Sequence, residues 1–206
     1  MGFQFLHIEA YARHGSKQHG QPRKWSAREI AAEAMREPDA CPHVEQPQPP
    51  QVLHGCTPAE AAKLAHDWAD SSQDAKGRKL RADGLALAAG VVSLPAEQRQ
   101  DWPRFREATV AWLREQYGER LRSVVEHTDE AHPHLHFYAV PLPGERFEVL
   151  HPGRQAAAEK ARQGAKKGAQ NAAYKQAMVG WQDGFQRAVA AHVGRTRRGP
   201  GERGLT

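Results

Sequence analysis

Cysteine is scarce in this chain, with only Cys41 and Cys56 among 206 residues. Two thiols make no disulfide framework, and the composition fits a reduced, cytoplasmic protein. No apolar run approaches the roughly 20 residues of a membrane span. The opening Met1-Gly2-Phe3-Gln4-Phe5-Leu6 lacks the basic stretch of a secretion signal. The His-Glu-x-x-His spacing of helical zinc proteases is missing, which excludes that class of hydrolase. No internal repeat is present, and the length suits one α/β domain with material left for an appendage.

The stretch His127-Thr-Asp129-Glu130-Ala-His132-Pro133-His134-Leu135-His136 places four histidines and two carboxylates within ten residues. It lies between two short runs rich in β-branched and aromatic residues, 121–125 and 137–140, which read as adjacent strands or as one strand broken at Pro133. Alternation along a strand sends His134 and His136 to one face and Leu135 to the other. Two imidazoles on one face can hold a divalent ion, and His127 is the natural third ligand if the chain bends back.

Strand-like residues open the chain over 2–12, followed by a polar loop from His14 to Lys24. Ser26 and Glu29 form a capping box that starts a helix running to about Arg36 and stopping before Pro38. Pro42, Pro47, Pro49 and Pro50 impose an extended loop over 38–50 holding Cys41, His43 and Glu45. A short strand is expected over 52–55. Pro58 then suits the first turn of a second helix, with Ala61, Leu64, Ala65 and Trp68 toward the core. A buried central strand is expected over 85–94, a helix over 102–116 and a short strand over 147–150. Helix is expected over about 155–193, weakly interrupted at Gly164, Gly168 and Gly180, with Tyr174, Met178, Trp181 and Phe185 as its packing face. We divide the chain into a metal-binding catalytic core, 1–152, a basic helical extension packed on it, 153–194, and a flexible basic tail, 195–206.

The formal net charge is +5, from 29 Lys and Arg against 24 Asp and Glu. Basic residues greatly outnumber acids from His151 onward, which raises the expectation of a polyanionic partner, most often nucleic acid. A chain ending in such a run, Arg203-Gly204-Leu205-Thr206, fits the N-terminal domain of a longer protein.

The histidine stretch resembles the metal motif of the Mob/Pre family, the MobV-type relaxases, written His-x-Asp-Glu-x-x-Pro-His-x-His. His127, Asp129, Glu130, Pro133, His134 and His136 meet every specified position. The resemblance extends to Lys79-Leu80-Arg81-Ala82-Asp83, to Trp112, to Tyr117-Gly118 and to Val140-Pro141, covering about residues 2–190. It implies an HUH-endonuclease fold, a central antiparallel β-sheet with helices packed on it (α+β), followed here by the C-terminal helical segment. It implies a relaxase that nicks and religates single-stranded DNA, or a DNA hairpin, at a plasmid or mobile-element transfer origin through a covalent protein–DNA intermediate. Conjugation-machinery proteins are the further partners it implies.

By the same resemblance, His127, His134 and His136 hold Mn²⁺ or Mg²⁺, although three imidazoles also suit zinc or nickel. Glu130 is implied beside the ion as an acid/base carboxylate. Lys79 and Arg81, with Arg154, Lys166 and Lys167 on the basic extension, are the expected DNA contacts. The family's helical His-x-x-Arg motif is met only in part: Arg36 matches the arginine, whereas Glu33 falls on the nucleophilic histidine. Glu33 and His43 are therefore both candidate nucleophiles, with Tyr11, His19 and His54 behind them, and Arg36 is expected to face the scissile phosphate. An alternative reading is an origin-binding module that keeps the metal site and does not nick.

Overall fold

The computed structural model describes residues 5–16, 23–73 and 77–193. Phe3, His19 and the tail 195–206 lie outside the described residues. The elements, in chain order, are β1 (Phe5–Ala12), α1 (Ala27–Ala34), β2 (Gln51–Gly55), α2 (Pro58–Ser71), β3 (Leu85–Ser93), α3 (Trp102–Tyr117), β4 (Leu121–His127), β5 (His134–Ala139), α4 (Pro152–Arg162) and α5 (Lys167–Ala188).

The five strands form one sheet in the order β1-β3-β5-β4-β2. Every neighbouring pair is antiparallel. The burial of β5 explains its central place, because all six of its residues are buried and only an interior strand hides both faces. Register fixes what each face carries, since paired residues share a face. One row runs His7, Val91, His136, Val125 and Val52 across all five strands, and the next brings Ser93, His134 and His127 together. The opposite face carries Leu6, Ile8, Val92, Val124, Leu135 and Phe137, all buried.

α3 covers this apolar face. Its Tyr117 meets Phe137, with ring centroids 5.7 Å apart. α5 lies against α3 through Phe185, 5.1 Å from Trp112 and 5.8 Å from Phe105. α1 stands over the histidine face, where its Glu33 comes within ion-pair distance of His43. α2 packs alongside α1 and against β3 and β4. Both helices start with complete capping boxes, Ser26 with Glu29 and Thr57 with Glu60. α1 runs toward the metal-ligand end of the sheet and delivers its C-terminus there.

Three local expectations are corrected. Residues 147–150 form a 3₁₀ turn instead of a strand. Three-residue periodicity puts Phe147 and Leu150 on one side, and both are buried while Val149 between them is exposed. Leu64 is exposed at 39% while Ala62 and Ala69 are buried, so the core face of α2 is an alanine stripe turned away from Leu64. The long C-terminal helix is two helices. Gly164, at φ +75°, takes the left-handed conformation that ends α4, whereas Gly168 and Gly180 sit inside an unbroken α5.

Candidate metal centre

β4 and β5 make a hairpin whose connection carries Asp129, Glu130 and Pro133, so the pairing of His127 with His134 follows from the register of the two strands. His136 lies two residues further along the same face. The ring centroids of the three imidazoles are 4.9–5.1 Å apart. One ligand nitrogen from each ring falls within 4.8 Å of the others, the arrangement of a facial three-histidine metal site.

Hydrogen bonding fits this use. His134 places Nδ1 2.9 Å from the carbonyl of His132, so Nδ1 carries the proton and Nε2 is left as a ligand. His136 Nδ1 is 3.4 Å from the Tyr138 hydroxyl. Neither nitrogen of the buried His127 has a hydrogen-bond partner among the described residues. A buried polar atom without a partner is costly, and a coordinated ion would satisfy it. Burial, with Arg36 and His134 adding, pushes His127 down to about 3 against the opposing charge of Asp129. Burial likewise holds His136 well below its usual value, with the neighbouring histidines and Arg36 contributing. Neutral imidazoles are the metal-competent form.

Arg36 organises the surrounding carboxylates. Its Nε and Nη2 donate to the two oxygens of Asp129 at 2.9 and 3.0 Å. Nη2 also donates to Glu130 Oε1 at 2.6 Å and Nη1 to Glu33 Oε1 at 3.2 Å. The arginine side chain is only 2% exposed. Its donors are thus occupied by three carboxylates, which it holds in place beside the histidines.

Arg36 reaches this place through an unusual backbone. It follows the α1 C-cap, Met35, with φ +57°. Its N–H donates to Glu33 O, and the Glu37 N–H donates to Ala32 O, the two bonds of a Schellman motif whose left-handed residue is normally glycine. Burial alone would raise the Asp129 carboxyl, but the Arg36 hydrogen bonds and the Gln48 backbone N–H at 3.1 Å hold it at about 2. The Gln48 bond also ties the proline-rich loop to the metal hairpin.

His43, on that loop, has a side chain 56% exposed. Its Nε2 lies 3.7 Å from Glu33 Oε1 and 3.9 Å from Glu130 Oε1. Glu130 Oε1 is in turn 3.8 Å from His134 Nε2. Glu33 is largely buried, and burial raises its carboxyl in spite of Arg36 and His43. Thus Glu33, Arg36, His43 and Glu130 converge beside the three histidines. Tyr11 lies on the same sheet face, where burial and the charges of Glu9 and Glu33 keep its phenol protonated. His54 sits on the far edge strand, β2, where burial and Arg114 lower it.

The proposed DNA contacts are spread out. Lys79 and Arg81 are exposed next to β3, with Arg81 paired to Asp83. Arg154, Lys166 and Lys167 are exposed on α4 and at the start of α5. Sequence reasoning gave Asp129 no role beyond matching a motif. It also missed that Gln48 and His132 contribute through backbone atoms, which no side-chain pattern reveals.

The fold is thus an antiparallel sheet with three histidines on one face, flanked by helices on both sides. Two solved structures share it. One is the MobM relaxase domain (MOBV; Mob_Pre) bound to 26-nucleotide pMV158 oriT DNA, with a TM-score of 0.55 and 12% identity, covering 99% of this chain and 95% of that one. The other is the same domain with 23-nucleotide oriT DNA, Mn-bound at pH 6.5, with a TM-score of 0.55 and 13% identity, covering 99% and 93%. No curated protein sequence matches the chain. The Mob_Pre family model, described as plasmid recombination enzyme, matches residues 70–203. The chain belongs to the Mob_Pre family of plasmid recombination enzymes.

Proposed function

We propose that this protein is a metal-dependent DNA relaxase that nicks and rejoins one strand at the origin of a plasmid or mobile element, working in the cytoplasm. The observation that carries the proposal is the buried imidazole triad, with the His127 nitrogens lacking any hydrogen-bond partner among the described residues, beside an exposed histidine flanked by two carboxylates. The related MobM domain in its Mn-bound, oriT-bound form supports both the ion and the substrate class.

His127, His134 and His136 would hold a divalent ion, Mn²⁺ or Mg²⁺, whose charge would polarise the scissile phosphate and offset its transition state. His43 is the nucleophile we assign. Its Nε2 faces the oxygens of Glu33 and Glu130, which leaves Nδ1 to attack. The N–P bond forms as the P–O3′ bond breaks, the 3′ oxygen leaves with the bonding pair and takes a proton from water to become the 3′ hydroxyl, and the two carboxylates hold the imidazolium charge that develops. Glu33 is less suited to attack, because it is engaged by Arg36 and its acyl phosphate would hydrolyse readily. Arg36 and Asp129 position these groups from behind. Lys79 and Arg81 would contact backbone phosphates, a role their exposure next to β3 supports.

A second reading, an origin-binding module that does not nick, is favoured by one observation: Glu33 stands in the register of the family's nucleophilic histidine. Incubation with Mn²⁺ and a labelled origin oligonucleotide, followed by a denaturing gel, separates the two. A protein-linked DNA band supports the relaxase, and retention of DNA without one supports the module.

A further inference from the structure

Among the described residues Tyr138 is the largest side chain that is fully buried, and it lies two residues beyond His136 on the face of the metal centre. Register explains how the sheet accommodates it. Its row runs Glu9, Ala89, Tyr138, Ser123 and Gly55 across the strands, so Ala89 and Ser123 are its immediate neighbours. Small side chains on both sides leave room for a phenol ring. His136, in the next row, pairs with Val91 and Val125, whose branched side chains confine its imidazole. The two rings are stacked at 23° with centroids 6.4 Å apart.

The polar contact between them is 3.4 Å, from the Tyr138 hydroxyl to His136 Nδ1. Along β5, His134 and Tyr138 flank His136. The contact therefore occupies Nδ1 from the side opposite His134 and leaves Nε2 for an ion.

The three histidines differ in what holds them. His134 has the backbone carbonyl of His132, and His127 has no hydrogen-bond partner among the described residues. Tyr138 is the one side chain among the described residues that is hydrogen-bonded to the triad. A phenol can donate or accept, and the two cases have opposite outcomes. A phenol that donates to Nδ1 leaves the ring proton on Nε2, where it blocks an ion. A phenol that accepts from Nδ1–H leaves the Nε2 lone pair bare.

Resting on the metal centre of the relaxase reading above, we propose that Tyr138 is a positioning residue for the ion. Its oxygen accepts from His136 Nδ1–H and so fixes the tautomer in which Nε2 is the ligand. Tyr138 acts through His136 and touches neither the ion nor the DNA. Without this acceptor the buried imidazole loses both its preferred tautomer and the contact that orients it. Affinity for the ion then falls while the fold stays.

The test compares the whole wild-type chain with Tyr138→Phe, which removes only the hydroxyl. Tyr117→Phe is the matched control: Tyr117 is also buried, packs on Phe137, and its hydroxyl has no partner among the described residues. Mn²⁺ affinity is measured by titration calorimetry and stability by urea unfolding. Long-range proton–nitrogen NMR of the metal-free protein reads the histidine tautomers. Tyr138→Phe should bind Mn²⁺ more weakly by on the order of tenfold, and Tyr117→Phe as the wild type does. The wild type should carry the His136 proton on Nδ1, and Tyr138→Phe should lose that preference. A Tyr138→Phe variant that keeps its Mn²⁺ affinity, whatever its stability, would show that the phenol only packs, and the proposal would be overturned. A wild-type proton on Nε2 would overturn it too, and that measurement needs no variant to fold. A wild type that takes up no Mn²⁺ would overturn the metal centre and this proposal with it. Nicking enters none of these readouts, so a chain that binds Mn²⁺ as described yet leaves origin DNA uncut refutes the relaxase reading alone.

Discussion

Arg36 and Asp129, 93 residues apart, form a bidentate pair in which Nε and Nη2 lie 2.9 and 3.0 Å from the two carboxylate oxygens, with both side chains only 2% exposed. The pair joins the end of α1 to the metal hairpin, and the Gln48 N–H joins the proline-rich loop to the same carboxylate. Three segments that each contribute one group to the site are thereby held together behind it.

Breaking that pair from one side leaves a buried charge uncompensated. Arg36→Ala should destabilise the fold by about 3–5 kcal/mol, because the Asp129 carboxylate loses its main partner. Arg36→Gly removes the same charges yet suits the left-handed backbone at φ +57°. It should therefore be more stable than Arg36→Ala by about 1 kcal/mol. Urea unfolding of both variants checks this, and equal stabilities would show that the backbone at residue 36 is unstrained.

Metal binding should need the three imidazoles together. His134→Ala should lose most of the Mn²⁺ affinity in titration calorimetry, since the remaining pair cannot fix the ion. The wild-type fold should gain about 2.7 kcal/mol with the ion at a hundred times its dissociation constant, and the variant almost none. Unchanged affinity in the variant would remove His134 from the site.

A pH effect is expected away from the metal. Hydrogen bonds from Arg120, and from the Leu142 backbone N–H at 2.9 Å, hold Glu145 below its ordinary value despite some burial. A depressed carboxylate contributes stability that is present above its unfolded value, about 4.3, and is lost as pH falls through the lowered folded value. The stability difference between wild type and Glu145→Gln, about 1 kcal/mol or less for a partly exposed pair and read from thermal unfolding, should be present at neutral pH and close in acid. A difference that persists unchanged into acid would assign it to packing.

Gly90 tests the sheet beneath the site. A Cβ there would come within 2.3 Å of the Phe137 ring and 2.4 Å of the His7 carbonyl. Gly90→Ala should destabilise by about 1–3 kcal/mol or more through overpacking, read from denaturant midpoints. A neutral outcome would mean that Phe137 can move aside freely.

Much of this was legible in the sequence because strand period and motif spacing are local. The alternation through His134, Leu135 and His136 gave the facing of the ligands, and Ser26 with Glu29 gave the start of α1. What stayed hidden depends on partners far away in sequence. Arg36 matched a motif arginine, but only the fold shows three carboxylates filling its donors. Phe147 and Leu150 look like strand residues until burial three apart selects a 3₁₀ turn. Leu64 fits a helical apolar stripe, yet the close approach of α1 and α2 favours alanines and turns the larger side chain out. Within 155–193, three glycines read alike, and only Gly164 takes the positive φ that breaks the helix.

The central claim is a histidine nucleophile beside a three-histidine metal centre. Its most direct test is mass spectrometry of the peptide that remains joined to a labelled origin oligonucleotide after reaction with Mn²⁺, in the wild type, His43→Ala and Glu33→Gln. The account predicts the DNA on His43, no adduct from His43→Ala, and a slower but present adduct from Glu33→Gln. An adduct that survives in His43→Ala, or one mapped to Glu33 or Tyr11, would contradict it.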